Sequence, residues 1–242
     1  MQEKILRNTN LKFRTEIDGL RAFSIIIVIF YHAQLQIWGR DWFQGGFLGV
    51  DIFFVISGYL ISRIIFNELK ENNNFNFKNF FEKRARRIFP MLFFIIFICI
   101  PIAWLKLIPL DFLEFSNSAL SSIFFSSNFF FHNALVEYGT TPALLKPLLH
   151  TWSLGVEEQF YFIIPIFLLL IWKKAKNYTF TSLIFTLIIS LIFANTYSVR
   201  DVGMNFFLPL SRFWELISGS VIAYLEINKR ISKNKILNNV LP

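Results

Sequence analysis

Apolar residues run along this chain in long blocks, over residues 19 to 38, 47 to 66, 88 to 107, 148 to 172, 180 to 197 and 206 to 226, with the charges gathered between them. A block of roughly 18 residues or more, at about 1.5 Å per residue, is long enough to cross a hydrocarbon core about 30 Å thick as an α-helix. The pattern predicts an all-α protein, a polytopic transmembrane helix bundle of about six spans. A further stretch, 111 to 131, has the length but carries Asp111, Glu114, Asn117, Asn128 and several serines. That polarity disfavours a lipid-facing span, so the expectation there is a re-entrant or protein-buried segment.

The charges between the blocks set an orientation. Residues 1 to 16 carry Lys4, Arg7, Lys12 and Arg14 and read as a cytoplasmic flank. Between 67 and 90 come Lys70, Lys78, Lys83, Arg84, Arg86 and Arg87, interleaved with Phe77, Phe80, Phe81 and Ile88 at near-helical spacing. This predicts an interfacial amphipathic helix running into the third span, with Pro90 in that span's first turn and Pro101 as a kink. Lys173, Lys174 and Lys176 lie outside if 111 to 131 crosses and inside if it does not, and the positive-inside rule favours the second. Residues 228 to 242, with Lys229, Arg230, Lys233 and Lys235, read as a basic cytoplasmic tail or the end of a fragment.

The first block holds the most pointed candidate chemistry. Arg21 and His32 bracket an almost wholly apolar run. On a helix they are about 16 Å apart in rise and only about 20° apart in rotation, so they share a face. Arg21 is expected near one membrane surface and His32 about half a bilayer away. An ionisable residue at that depth is costly without partners and marks a candidate functional site; a histidine tied to a neighbouring helix is the plainer alternative.

Composition narrows the class. With 55% hydrophobic, 19% aromatic and only 17% charged residues, the chain departs from a soluble domain. Its net charge of +8 sits in the short segments between apolar blocks, where an anionic membrane leaflet is a sufficient partner, so no nucleic acid is expected. Cys99 is the only cysteine and lies inside an apolar block, which excludes a disulfide and a cysteine metal site; no metal is expected.

Other polar residues fall where a lipid-facing helix has none. Asp51, Gly58 and Ser62 recur on one helical face, with Ser57 beside them; the small residues read as packing, whereas Asp51 is harder to explain that way. Farther on, His150, Leu154, Glu157 and Tyr161 share a face. Glu157 and Glu158 are adjacent carboxylates within an apolar block, each costing at least about 2.5 kcal/mol if ionised at the bilayer centre. Arg212 and Glu215 are expected to compensate them, either as a purely structural pairing or as part of a site. His32, Asp51, Glu157 and Arg212 fall in the outer half of this arrangement, and Arg21, Arg84 and Arg87 towards the cytoplasm.

These residues stand in strings that resemble the membrane acyltransferase 3 family. Arg21 with His32 matches its Arg-x10-His motif, in the opening Glu16-Ile17-Asp18-Gly19-Leu20-Arg21-Ala22. Gly49-Val50-Asp51-Ile52-Phe53-Phe54-Val55-Ile56-Ser57-Gly58 is similar to the second signature, and Arg84-Ala85-Arg86-Arg87 to the Arg-x-x-Arg motif. His150-Thr151-Trp152-Ser153-Leu154-Gly155-Val156-Glu157-Glu158-Gln159 resembles a further one. The resemblance runs across residues 14 to 225, gives a partial acyltransferase 3 transmembrane domain over residues 17 to 227, and points to the branch that O-acetylates bacterial surface polysaccharides.

It implies a multi-pass protein of the bacterial inner membrane that moves an acetyl group from cytoplasmic acetyl-CoA to a hydroxyl of a cell-envelope glycan, lipopolysaccharide among them. The family's essential pair falls on Arg21 and His32, and its arginine pair, as coenzyme A ligands, on Arg84 and Arg87. Guanidinium groups suit phosphates because they bind them bidentately. An imidazole either takes a proton from the acceptor hydroxyl or carries the acyl group itself. Family domains usually have more spans, often followed by an extracytoplasmic esterase-like domain, so the chain reads as a truncated member and such a domain as a partner. Two rivals remain at this level: a transporter or flippase using a His32, Glu157 and Arg212 relay, and a structural subunit whose polar residues only join helices.

Overall fold

The computed structural model describes residues 14–34, 36–37, 40–136 and 146–228. It divides into two compact units, residues 1–56 and 57–242. The fold is all-α apart from one two-residue ladder.

In the first unit, α1 (Thr15–His32) begins with Glu16 and Asp18 in its first turn, where carboxylates complement the positive end of a helix. It ends six residues short of the expected span, because Gln34 takes a left-handed φ of 48° and the chain turns into antiparallel strands β1 (Gln36–Ile37) and β2 (Arg40–Asp41). His32 is therefore the last helical residue rather than a mid-span one. A 3-10 turn, Gln44–Phe47, leads into α2 (Leu48–Asn72). This connection packs on α1 through glycines. A Cβ at Gly46 would lie 2.6 Å from Cβ of Tyr31, and one at Gly49 would lie 2.5 Å from the Ser24 carbonyl oxygen.

In the second unit, α2 turns at Asn73 (φ 50°) into α3 (Phe77–Lys106), capped by the Asn76 side chain, which accepts from the Asn79 N–H at 3.0 Å. The expected amphipathic segment and third span are thus one continuous helix, and Pro90 lies well inside it rather than in a first turn. Residues 111 to 131 resolve into two short helices, α4 (Pro109–Ile123) and α5 (Ser127–Val136), separated where Phe125 adopts a φ of 54°. Neither reaches the roughly 20 residues a crossing needs. Of their polar residues Ser118, Ser122, Ser127 and Asn128 are buried, each at most 3% exposed, whereas Asp111 and Glu114 are half-buried and Asn117 is exposed. After them come α6 (Thr151–Ala175), a 3-10 turn at Lys176–Tyr178, α7 (Thr179–Arg200), α8 (Val202–Phe207) and α9 (Pro209–Ile227). The expected last span is split into α8 and α9 at Leu208, whose extended backbone precedes Pro209.

Helix α6 is the centre of this unit, with Val156, Phe160, Tyr161, Ile164 and Leu168 all at most 3% exposed. Its contacts fix the direction of its neighbours. Ser57 meets Glu157 and Phe66 meets Trp172, so α2 runs parallel to α6. Ser62 meets Ser220, and Lys70 donates to the Ile227 carbonyl, so α9 is parallel to α2. Phe81 stacks on Phe162, and Phe89 stacks on Phe125, whose carbonyl accepts from Gln159, so α3 is antiparallel to α6. The ends of α2, α6 and α9 therefore gather at one end of the unit. Since α3 leaves that end and α6 returns to it, the C-terminal end of α3 and the N-terminal end of α6 lie at the same, opposite end of the unit.

Among the described residues, three helical stretches, Gln44–Asn72, Phe77–Lys106 and Thr151–Arg200, are long and apolar enough to cross a membrane, the last comprising α6 and α7. The expected first and last spans are not among them. Helix α1 carries Glu16, Asp18 and Arg21 within its 18 residues, and α9 carries Arg212, Glu215 and Glu226 within 19. The basic run from Lys229 to Lys235 lies outside the described residues.

Candidate functional site

The first unit positions the Arg21 and His32 pair. Helix α1 is unbroken between them, so the one-face relation expected from spacing holds. The half-buried Arg21 guanidinium sits 5.4 Å from the centroid of the Phe53 ring. His32 is exposed at the end of the helix, edge-on to Tyr31 at 5.2 Å. Asp51 is half-buried in the first turn of α2.

The second unit holds a polar cluster within its apolar core. On α6, Glu157 accepts a hydrogen bond from the Ser57 hydroxyl at 3.0 Å and from the Tyr161 hydroxyl, one turn later, at 3.3 Å. Buried carboxylates are tolerated when hydrogen-bonded in this way. Glu158 points elsewhere and is 4% exposed, with Oε1 lacking a hydrogen-bond partner. Across from it, the half-buried Arg84 of α3 lies 4.4 Å from the centroid of the Tyr161 ring, and its charge acts on Glu158.

Arg84 is level with Tyr161, about 16 Å along α6 from Trp172 at the basic end. Arg87 is exposed one turn farther along α3, so the two arginines sample different surroundings. Arg212 pairs with Glu215 of its own helix at 3.0 Å, donates from Nε to the Phe206 carbonyl, and lies over the rings of Trp152 and Phe206. Gly58 and Ser62 face α9, where the Ser62 and Ser220 hydroxyls are 2.6 Å apart, so the packing reading of these small residues holds.

Two connections escaped the sequence reading. Gln159 donates to the Phe125 carbonyl at 2.7 Å and to Asn128 Oδ1 at 2.8 Å, while Asn128 donates to the Phe207 carbonyl, which ties the break between α4 and α5 to α6 and α8. Lys146 forms a buried ion pair with Glu114. Polarity within 111 to 131 was the signal for the first. Lys146, adjoining Pro147 just before α6, carried none. Among the described residues, no group of three His, Cys, Asp or Glu side chains is placed to hold a metal ion.

Residues 14–241 match the acyltransferase domain family known as acyltransferase 3. The chain is 35% identical over 230 residues to the peptidoglycan O-acetyltransferase OatA of Listeria monocytogenes, covering 91% of this chain and 35% of that protein. It is 33% identical over 230 residues to the O-acetyltransferase OatA of Staphylococcus aureus, covering 92% and 37%. The chain thus spans about a third of the length of these curated relatives. No solved structure matches it.

Proposed function

This chain belongs to the acyltransferase 3 family, and we propose that it is a multi-pass cell-membrane O-acyltransferase module that moves an acetyl group from cytoplasmic acetyl-CoA to a hydroxyl of a cell-wall glycan. The name of the Listeria relative favours peptidoglycan as the acceptor over other envelope polysaccharides. An esterase-like domain outside residues 1–242 is its proposed partner at the outer face. Arg84 and Arg87 are assigned to the donor, Arg21 to its orientation, and His32 to the chemistry; Asp51, Ser57, Glu157, Glu158 and Arg212 form the polar support.

In the proposed step His32 takes the proton of the acceptor hydroxyl as its oxygen attacks the thioester carbonyl. The carbon–oxygen bond forms, the carbon–sulfur bond breaks, and coenzyme A leaves as the thiol after collecting a proton. Keeping water from the thioester limits hydrolysis. The observation that carries this reading is the unbroken α1, which keeps a guanidinium and an imidazole on one face of one helix.

Acetyl transfer from acetyl-CoA, measured in membranes with matched protein levels, tests it. His32→Ala abolishes transfer. His32→Gln, which keeps hydrogen bonding but is no base at neutral pH, does the same. Exchanging Tyr31 and His32 turns the imidazole by about 100° and is equally inactivating. Near-normal transfer by the Gln variant makes His32 a packing residue and removes the assignment.

A further inference from the structure

Two unfilled hydrogen-bonding groups stand together in the α6 cluster. Glu158 is buried, and its Oε1 is closed to solvent with no hydrogen-bond partner. Ser57 and Tyr161, the hydroxyls of the cluster, are committed to Glu157. Beside Glu158 is Arg84, whose guanidinium has five N–H donors. Among the described residues those donors meet no acceptor, and the group rests instead against the rings of Tyr161 and Phe80, 4.4 and 6.0 Å from their centroids. A buried acceptor without a donor is destabilising when left alone; no hydrogen-bond donor reaches Glu158 Oε1, and the half-buried Arg84 keeps its own donors free for an incoming group.

Side by side, a planar donor and a carboxylate oxygen complement a group that presents one carbonyl oxygen and one N–H, which is an amide. We propose that Arg84 and Glu158 form a clamp for an amide of the pantetheine arm of coenzyme A, the guanidinium donating to the amide oxygen and Glu158 Oε1 accepting its N–H. This rests on the reading of acetyl-CoA as donor, and it changes what Arg84 grips from a phosphate to the arm. The surroundings favour the arm. Arg84 rests against the Tyr161 ring beside the buried carboxyl of Glu158, where a charged phosphate is more costly to desolvate than a neutral amide and would face a like charge. Arg84 is half-buried and Glu158 buried, so an incoming arm meets the guanidinium first, and the guanidinium lifts off the Tyr161 face as the carboxylate is uncovered.

Equilibrium binding of coenzyme A and of pantetheine to the whole chain in lipid nanodiscs tests the clamp. The wild-type chain binds both. Arg84→Ala and Glu158→Leu each weaken both ligands by a common factor of about ten, so the ratio of the two affinities stays unchanged. Glu158→Gln, nearly the same shape and still an acceptor through its amide oxygen, retains the wild-type Tm and weakens both ligands less than Glu158→Leu does. If Arg84→Ala lowers coenzyme A binding alone, Arg84 holds a phosphate and the clamp is wrong. If both Glu158 variants leave pantetheine binding unaltered, Glu158 is a packing carboxyl and the clamp is again wrong. A wild-type chain that binds neither ligand overturns the acetyl-CoA reading itself, a separate failure.

Discussion

Gly58 of α2 lies against the backbone of Leu216 of α9 so closely that a Cβ on the glycine would stand 2.6 Å from the Leu216 carbonyl carbon. No real side chain tolerates that approach, so the two parallel helices meet backbone to backbone. The Ser62 and Ser220 hydroxyls then join at 2.6 Å, and Tyr59 reaches Glu226. Small residues at helix contacts are how apolar helices associate where lipid competes equally for apolar surface.

Gly58→Ala therefore forces α9 away from α2. Overpacking of this kind costs typically about 1 to 3 kcal/mol, and a lowered Tm in detergent is the expected reading. Gly19→Ala on α1, with nothing within 4 Å of its Cβ position, gains helix propensity and leaves Tm level or higher. Equal Tm values for the two variants contradict the close contact.

Gly49 plays the corresponding part in the first unit, since a Cβ there would lie 2.7 Å from Val28 Cγ2 as well as against the Ser24 carbonyl. Gly49→Val displaces α1 and with it Arg21 and His32, although it touches neither. Acetyl transfer is expected to fall at least about tenfold with protein level maintained, in line with the sensitivity of catalysis to misplacement of about 1 Å. Retained activity places the chemistry away from α1.

Glu157 draws on Ser57 and Tyr161 together. Ser57→Ala and Tyr161→Phe each remove a donor from a buried carboxylate, at about 1 to 3 kcal/mol. Because they share one acceptor, the double variant departs from the sum of the singles by more than about 0.5 kcal/mol in chemical unfolding. Additive losses dissolve the network.

The shared end of α2, α6 and α9 puts Lys174 on the same side as Lys70, and the positive-inside rule predicts that this side is cytoplasmic. In a Cys99→Ser background, Lys174→Cys is expected to resist a membrane-impermeant maleimide in intact cells and to react after permeabilisation. Labelling of intact cells reverses the predicted orientation.

The apolar stretches over α2, α3, α6 and α7, the basic segments between them and the phase of Arg21 against His32 were legible along the chain, whereas the shortening of the first expected span and the splitting of the last were not. Each legible feature depends on a local repeat of about 3.6 residues or on charge within a few residues of a helix end. The level of Arg84 beside Tyr161 was not legible. It follows from Phe81 stacking on Phe162, a register set by packing and not by any period in α3. Nor did polarity alone divide 111 to 131 into α4 and α5, since that break depends on the left-handed Phe125 and on Gln159 taking up its carbonyl. A carboxylate removed from water is stabilised by whichever donors tertiary packing brings within reach. For Glu157 one of these is Ser57, 100 residues away in sequence, and for Glu215 it is Arg212, one turn away. Local sequence therefore determined which groups needed partners, and the assembled helices decided which partners they found.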